Sequence, residues 1–191
     1  EMLHDCARLL MNMHPTWKDR NEDRPNSPVK LFLSHAKKDG LDTTKKFKRF
    51  VEDNLKLDVF FDTVDIADGY DFEQQIEANI KSSAFVVFHT DEYSTREWCR
   101  IEVLIAKKHK CSIVVVHDIK KGEKRAFPYL GNTPTITIQE DEVKSFYHIV
   151  NLTLYQVLNN LFQLELLKSF CEEFPIDDAG FVCITSPPEL F

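Results

Sequence analysis

The sequence predicts an open, doubly wound α/β sheet, and three observations carry that reading. Five short runs rich in β-branched and aromatic residues recur along the chain. Between them lie segments whose apolar residues repeat at helical period. The middle runs are apolar on both faces, as strands of a parallel sheet covered by helices must be. Strands that alternate with helices in this way are joined by crossovers, which makes the sheet parallel.

The elements follow in order. Residues 1–28 hold a short amphipathic stretch, Cys6 to Met13, and then the polar run Asp19 to Pro28, so they read as an extension outside the sheet. The first strand is Val29–Leu33, and the helix after it is marked by Phe47, Phe50, Val51 and Leu55. Leu57–Phe61 is the second strand, followed by a helix with Phe72, Ile76 and Ile80. Ala84–Phe88 is the third, followed by the helix that begins near Trp98. Ser112–Val116 and Thr135–Ile138 complete the sheet. A last helix, from about Ser145 to Phe170, is apolar around most of its circumference and is therefore covered on more than one side. Either the chain's own sheet and amino-terminal extension cover it, or a neighbouring subunit or domain does so as well. Its Asn151, Gln156, Asn159, Asn160 and Gln163 rule out a membrane span. The domain is expected over residues 29–168. Residues 169–191, which end on Thr185-Ser186-Pro187-Pro188-Glu189-Leu190-Phe191, read as a linker or the start of a further domain. A first residue that is not Met adds to the expectation that this is a piece of a larger protein.

Composition excludes several classes. The 191 residues suffice for one domain with a proper core, and 43% hydrophobic with 29% charged residues is the make-up of a globular chain. There is no 18-residue apolar run and no amino-terminal signal peptide. A net charge of −7 argues against a nucleic-acid surface, which needs an excess of Lys and Arg to neutralise phosphates. The basic runs at Lys45-Lys46, Lys48-Arg49, Lys120-Lys121 and Lys124-Arg125 read as solvated faces. Five widely spaced cysteines without a CxxC pair fit a reducing cytosol and neither a disulfide framework nor a zinc site. A cytoplasmic protein is the expectation.

One residue breaks the pattern of its helix. In Trp98-Cys99-Arg100-Ile101-Glu102 a carboxylate stands where a leucine is expected. Counted at about 100° per residue from Trp98, Arg100 and Lys107 fall near 200° and 180°, the wet side. By the same count Trp98, Ile101, Leu104 and Ile105 lie between roughly 240° and 360°, with Cys99 and Ala106 near 80–100°. Glu102 lands at about 40°, inside the apolar arc. An unpaired buried carboxylate costs several kcal/mol, so this one must be hydrogen-bonded, line a cleft or shift its pKa. Each outcome makes it a site candidate; the alternative is a helix-edge Glu that reaches water or a backbone amide.

Open α/β sheets bind ligands beyond the carboxyl ends of their strands, where strand order reverses. Those ends carry Ser34-His35, Asp62 and His89, with His117 one strand further on. In a 2-1-3-4-5 order the reversal lies between the first and third strands, so Ser34, His35 and His89 flank the crevice. No carboxylate or Cys has ligand spacing with the histidines, and no metal is expected. With five glycines, and neither GxGxxG nor GxxxxGK[ST], the chain lacks a dinucleotide or phosphate turn; GxSxG and HExxH are missing too. Cys99 has no helical His placed as a base, and reads as a structural thiol rather than a nucleophile.

Three motifs then fall in order along one stretch. Phe32-Leu33-Ser34-His35 looks like the F-[IL]-S-[HY] box of the first strand in TIR domains. Phe61-Asp62 through Asp65-Ile66-Ala67-Asp68-Gly69-Tyr70-Asp71-Phe72 resembles their loop after the second strand, and Trp98-Cys99-Arg100-Ile101-Glu102 their WxxxE motif in its WCxxE form. From Val29 to about Leu167 the chain thus resembles a TIR domain of the NAD+-cleaving type seen in bacteria and plants. That resemblance implies a flavodoxin-like fold: a five-stranded parallel sheet in order 2-1-3-4-5 with helices on both faces. It implies cleavage of NAD+ at the nicotinamide-ribose bond, with Glu102 as the catalytic residue and NAD+ as a substrate, no resident cofactor being needed. Ser34 and His35 match positions near the substrate, and Trp98 and Cys99 positions that shape the pocket. Asp62, Gly69, Tyr70 and Phe72 match a loop that closes the site or forms an assembly contact. Basic residues follow the first-strand box in some cleaving members, where this chain has Ala36 and Lys37. Self-association through TIR–TIR contacts, and a role in immune, antiphage or cell-death signalling, are further implications. Other members act only as signalling scaffolds, the alternative that the resemblance leaves open.

Overall fold

The computed structural model describes Asp5, Leu9 and residues 29–55, 57–61, 70–81 and 83–173, with side chains from residue 74 onward in the third of these spans. Strand β1 (Lys30–His35) leads to helix α1 (Leu41–Asn54), then β2 (Asp58–Phe60), α2 (Tyr70–Lys81) and β3 (Ala84–Thr90). A single 3₁₀ turn, Tyr93–Thr95, precedes α3 (Glu97–Lys108). Strand β4 (Ile113–Asp118), a second 3₁₀ turn at Pro128–Leu130, β5 (Thr135–Thr137) and the long α4 (Glu142–Glu173) follow among the described residues. All neighbouring strands pair in parallel in the order β2-β1-β3-β4-β5, as expected from the sequence.

Alternation of side chains along each strand splits the core in two. Leu31 and Leu33 of β1, with Val86 and Phe88 of β3, face α1 and α4, where Phe47, Val51, Phe146, Ile149 and Leu154 close over them. Phe32 of β1, with Phe85 and Val87 of β3, faces α2 and α3, covered by Ile76, Ile80, Val103 and Ala106. Every residue of β3 is buried, which is why its sequence shows no alternation.

Strands β1, β3 and β4 each run two residues beyond the sequence reading, to His35, Thr90 and Asp118. Those added residues are polar and sit at the crevice, where strand propensity gives no signal. Helix α4 starts at Glu142, with Asp141 accepting the Lys144 backbone N–H at 2.9 Å, and passes the expected domain limit at Lys168 to reach Glu173. Its first half packs through Phe146, Ile149, Val150, Leu154 and Val157, whereas Phe162, Leu166 and Phe170 further along are exposed.

Helix α3 departs from its helical count. The buried residues are Cys99, Glu102, Val103, Ile105 and Ala106, while Ile101 and Leu104 are half-buried and Trp98 is 48% exposed. The contact face is therefore centred on the small residues Cys99 and Ala106. They allow the helix to lie close enough to β1 for the Cys99 thiol to donate to the His35 carbonyl at 3.6 Å. A face drawn through the largest side chains misses this, although Glu102 lies inside the buried arc in both cases. Among the described residues no helix is long and apolar enough to cross a membrane.

Candidate functional site

Parallel pairing of β1 with β3 brings Ser34 beside Val87 and His35 beside Phe88, at the point where strand order reverses. The pleat then sends the two β1 side chains to opposite faces. Ser34, between Phe32 and Ala36 of the α3 side, points toward Glu102, and its Oγ donates to Glu102 Oε2 at 2.5 Å. Ser34 is 1% exposed and Glu102 9%, so this is a hydrogen bond between buried groups at the carboxyl end of β1. His35 lies on the α1 side, its ring stacked on Phe61 at 4.8 Å, with Nδ1 3.4 Å from the Leu33 carbonyl. The strand-end pair that the sequence presents as one unit is thus divided by the sheet.

The second partner of Ser34 is Tyr93, which the sequence reading did not single out. Its hydroxyl lies 2.7 Å from Ser34 Oγ, and the side chain is fully buried. A serine has one proton to give, and Glu102 as a carboxylate accepts, so Tyr93 donates to Ser34 and Ser34 donates to Glu102. Burial, with Cys99 and Glu102 close by, raises the Tyr93 phenol well above its ordinary range and keeps it a donor. The Cys99 thiol is pushed up as well, by burial first and the Glu102 charge second. A thiol held protonated is a poor nucleophile, which agrees with its structural reading.

Three carboxylates tie together the loops at this edge. Asp39, after β1, accepts from Thr90 Oγ1 at 2.7 Å and from the Glu92 backbone N–H at 3.0 Å. Asp91 accepts the backbone N–H groups of Lys120, Lys121 and Gly122 at 2.9–3.1 Å, and Gly122 takes the positive φ of 114° that this turn requires. Glu92 is bound by Lys124 and, at 2.6 Å, by Lys38; these two ammonium groups hold its carboxyl down at about 2. The loops after β1, β3 and β4 are thereby fixed around Tyr93.

His89, at the end of β3, packs edge-on to Tyr93 at 5.4 Å and approaches His117 at 5.8 Å. Its Nε2 is 2.6 Å from Glu123 Oε1. Burial lowers its pKa against the pull of Glu123, and His117 adds to the lowering. Among the described residues no three His, Cys, Asp or Glu side chains are grouped to hold a metal ion. Asp62 and Gly69, and the side chains of Tyr70 and Phe72, lie outside the described residues. Trp98, on the first turn of α3, stands at the outer surface rather than in the core.

The sequence profile of the family described as TIR domain matches residues 31–150. The chain belongs to this family. The TIR domain is similar in structure to the CMP N-glycosidase BcmB of Clostridium botulinum, at 16% sequence identity over 66% of this chain and 98% of that one, with a TM-score of 0.43. It is similar also to the TIR domains of the activated Roq1 resistosome that directly recognises the pathogen effector XopQ, at 18% identity over 66% of this chain and 84% of that one, with a TM-score of 0.39. No curated protein matches the sequence significantly. The matched segment of the TIR domain contains Ser34, Tyr93 and Glu102, and so the whole hydrogen-bonded chain.

Proposed function

We propose that this TIR domain is an NAD+ nucleosidase that splits the bond between nicotinamide and ribose, releasing nicotinamide with ADP-ribose or a cyclised form of it. The observation that carries the reading is the Glu102 carboxylate, buried on the sheet-facing side of α3 at the strand-order reversal and fixed by Ser34. A helix facing a core has no packing reason to hold a carboxylate there. The reaction has one. When the C1′–N bond of NAD+ breaks, its electron pair goes to the pyridinium nitrogen and nicotinamide leaves neutral, so no general acid is required. The ribosyl fragment is left as an oxocarbenium-like cation, which a single fixed carboxylate stabilises electrostatically. Apolar surroundings lower the local dielectric and strengthen that field. Water then takes the cationic carbon and gives up a proton to yield ADP-ribose; capture by an adenine nitrogen yields the cyclic product.

In this reading Glu102 is the catalytic residue. Trp98 and the strand ends border the substrate, and Asp62, Gly69, Tyr70 and Phe72 serve to close the site or to form the assembly contact, as the family resemblance implies. Clustering of TIR domains activates the site. The test is nicotinamide release from NAD+ at high protein concentration, with bead display to force clustering, for the native chain and Glu102→Gln. We expect release by the native chain and none by a folded Glu102→Gln; equal release by both removes Glu102 from catalysis. NADP+ and a nucleoside monophosphate assayed alongside identify another N-glycoside substrate of the same carboxylate.

A second reading, a scaffold that signals by TIR–TIR contact without chemistry, is favoured by one observation, the exposed Phe162, Leu166 and Phe170 on the outer half of α4. Silence of both proteins on every substrate under clustering is the outcome that selects it.

A further inference from the structure

We infer that Tyr93 is a positioning residue for Glu102, acting through the Ser34 hydroxyl. The inference takes Glu102 as the reacting carboxylate from the reading above. Its own ground is geometric: Tyr93 OH to Ser34 Oγ is 2.7 Å, Ser34 Oγ to Glu102 Oε2 is 2.5 Å, and Tyr93 and Ser34 are almost completely buried. The proton count makes the chain one-way while Glu102 is ionised. Tyr93 supplies the proton that Ser34 Oγ accepts, which leaves the Ser34 proton no better direction than Glu102. A donor that is itself polarised by a donor binds more strongly, an effect that a low-dielectric interior enlarges.

Tyr93 is well held for this task. His89 and Phe127 pack edge-on against its ring, each at 5.4 Å. Its backbone follows Glu92, which Asp39, Lys38 and Lys124 anchor. The hydrogen-bonded chain thus fixes one carboxylate oxygen of Glu102 to three loops at the carboxyl ends of the central strands. The Glu102 charge acts on Tyr93 and Cys99, both of which burial holds protonated. Arg96 and Asp39 act on Cys99 with opposite signs.

The test is a pH titration of the Glu102 side-chain carboxyl by ¹³C NMR, its signal assigned by loss in Glu102→Gln. Ser34→Ala removes the direct donor and should move the Glu102 midpoint up by about one pH unit. Tyr93→Phe keeps the ring packing and removes only the donor behind Ser34; we expect about half that movement, in the same direction. The double variant should match Ser34→Ala, because the hydrogen-bonded path from Tyr93 to Glu102 runs through the Ser34 hydroxyl. A 3-fluorotyrosine installed at position 93, a stronger donor of nearly the same shape, should move the midpoint down, and this variant stands if Tyr93→Phe does not fold. A Glu102 titration unmoved by either change at position 93, or a Tyr93→Phe movement that persists in the Ser34→Ala background, overturns the inference. The readout needs no turnover, so failure of the NAD+ reading and failure of this one are separate results. If the chain does cleave NAD+, the same variants should lower kcat, about tenfold for Ser34→Ala, with KM little changed.

Discussion

Removal of the Asp39 carboxylate tests whether the loops around the site are held by charge or merely packed. Asp39 lies on the surface, but the two groups it binds do not: Thr90 is 2% exposed and Glu92 8%. Asp39→Ala therefore leaves a buried hydroxyl and a buried backbone N–H without their acceptor. Each orphaned donor costs about 1–3 kcal/mol, and water reaching the vacated position from the exposed side favours the low end, about 1 kcal/mol each. The expected loss is about 2 kcal/mol. In a chain of this size a kcal/mol moves the melting midpoint by roughly 2–4 °C, so the variant should melt about 4–8 °C below the native protein. Asp39→Asn keeps one acceptor oxygen and should lose about half as much. Asp53→Ala, on the exposed face of α1, is the control and should stay within about 0.5 kcal/mol of native. Melting followed by circular dichroism, with urea unfolding at constant slope, measures all three. If Asp39→Ala melts with the control, the loop-tying argument fails.

Three further predictions rest on other parts of the molecule. Glu92, held at about 2 by Lys124 and Lys38, has a folded-state pKa below its ordinary 4.5. Its contribution to stability is therefore present above pH 4.5 and lost as pH falls toward 2; urea midpoints across that window should be flatter for Glu92→Gln than for the native chain, and the difference should shrink at high salt. The Cys99 thiol, pushed up by burial, should resist alkylation of the folded protein at neutral pH while the half-buried Cys171 reacts, with peptide mass spectrometry as the readout; a Cys99 modified as fast as Cys171 contradicts the burial argument. Phe47, fully buried against Phe88 at 5.5 Å and Phe146 at 5.4 Å, joins α1 and α4 to the sheet, so Phe47→Ala should cost about 3–5 kcal/mol in urea unfolding, and a loss under 1 kcal/mol would place the core elsewhere.

The central strands β1, β3 and β4 were legible because they are largely buried on both faces: runs such as Phe85-Val86-Val87-Phe88 leave no other element that short and that apolar. The strand order was legible only through the family resemblance, since nothing local in β2 or β5, three residues each, fixes their neighbours. Helix α3 shows where periodicity misleads. Its large residues, Trp98 and Leu104, lie at the surface or half-buried, whereas Cys99 and Ala106 are buried because close contact with β1 admits only small side chains. A helical count weights residues by hydrophobicity, and close packing selects them by size. Glu102 was nevertheless flagged, because a carboxylate is anomalous on either version of that face.

What a residue count does not reveal is partnership across the sheet. Ser34 and Tyr93 are 59 positions apart, and Tyr93 sits on a one-turn 3₁₀ segment too short to show any period. The usable signal was topological: with β3 beside β1, the turn after β3 that carries Tyr93 lies within reach of the end of β1. His35 makes the complementary point. Adjacent to Ser34 and equally suited to a site by residue type, it is carried to the α1 face by the same pleat that points Ser34 toward Glu102. Neighbours in sequence were separated and distant residues joined, both by β1. The side chains that act on Glu102 are therefore selected by strand parity and strand order, and a substitution that shifted β1 by one residue against β3 would exchange Ser34 for His35 at the carboxylate and break the hydrogen-bonded chain without touching Glu102 itself.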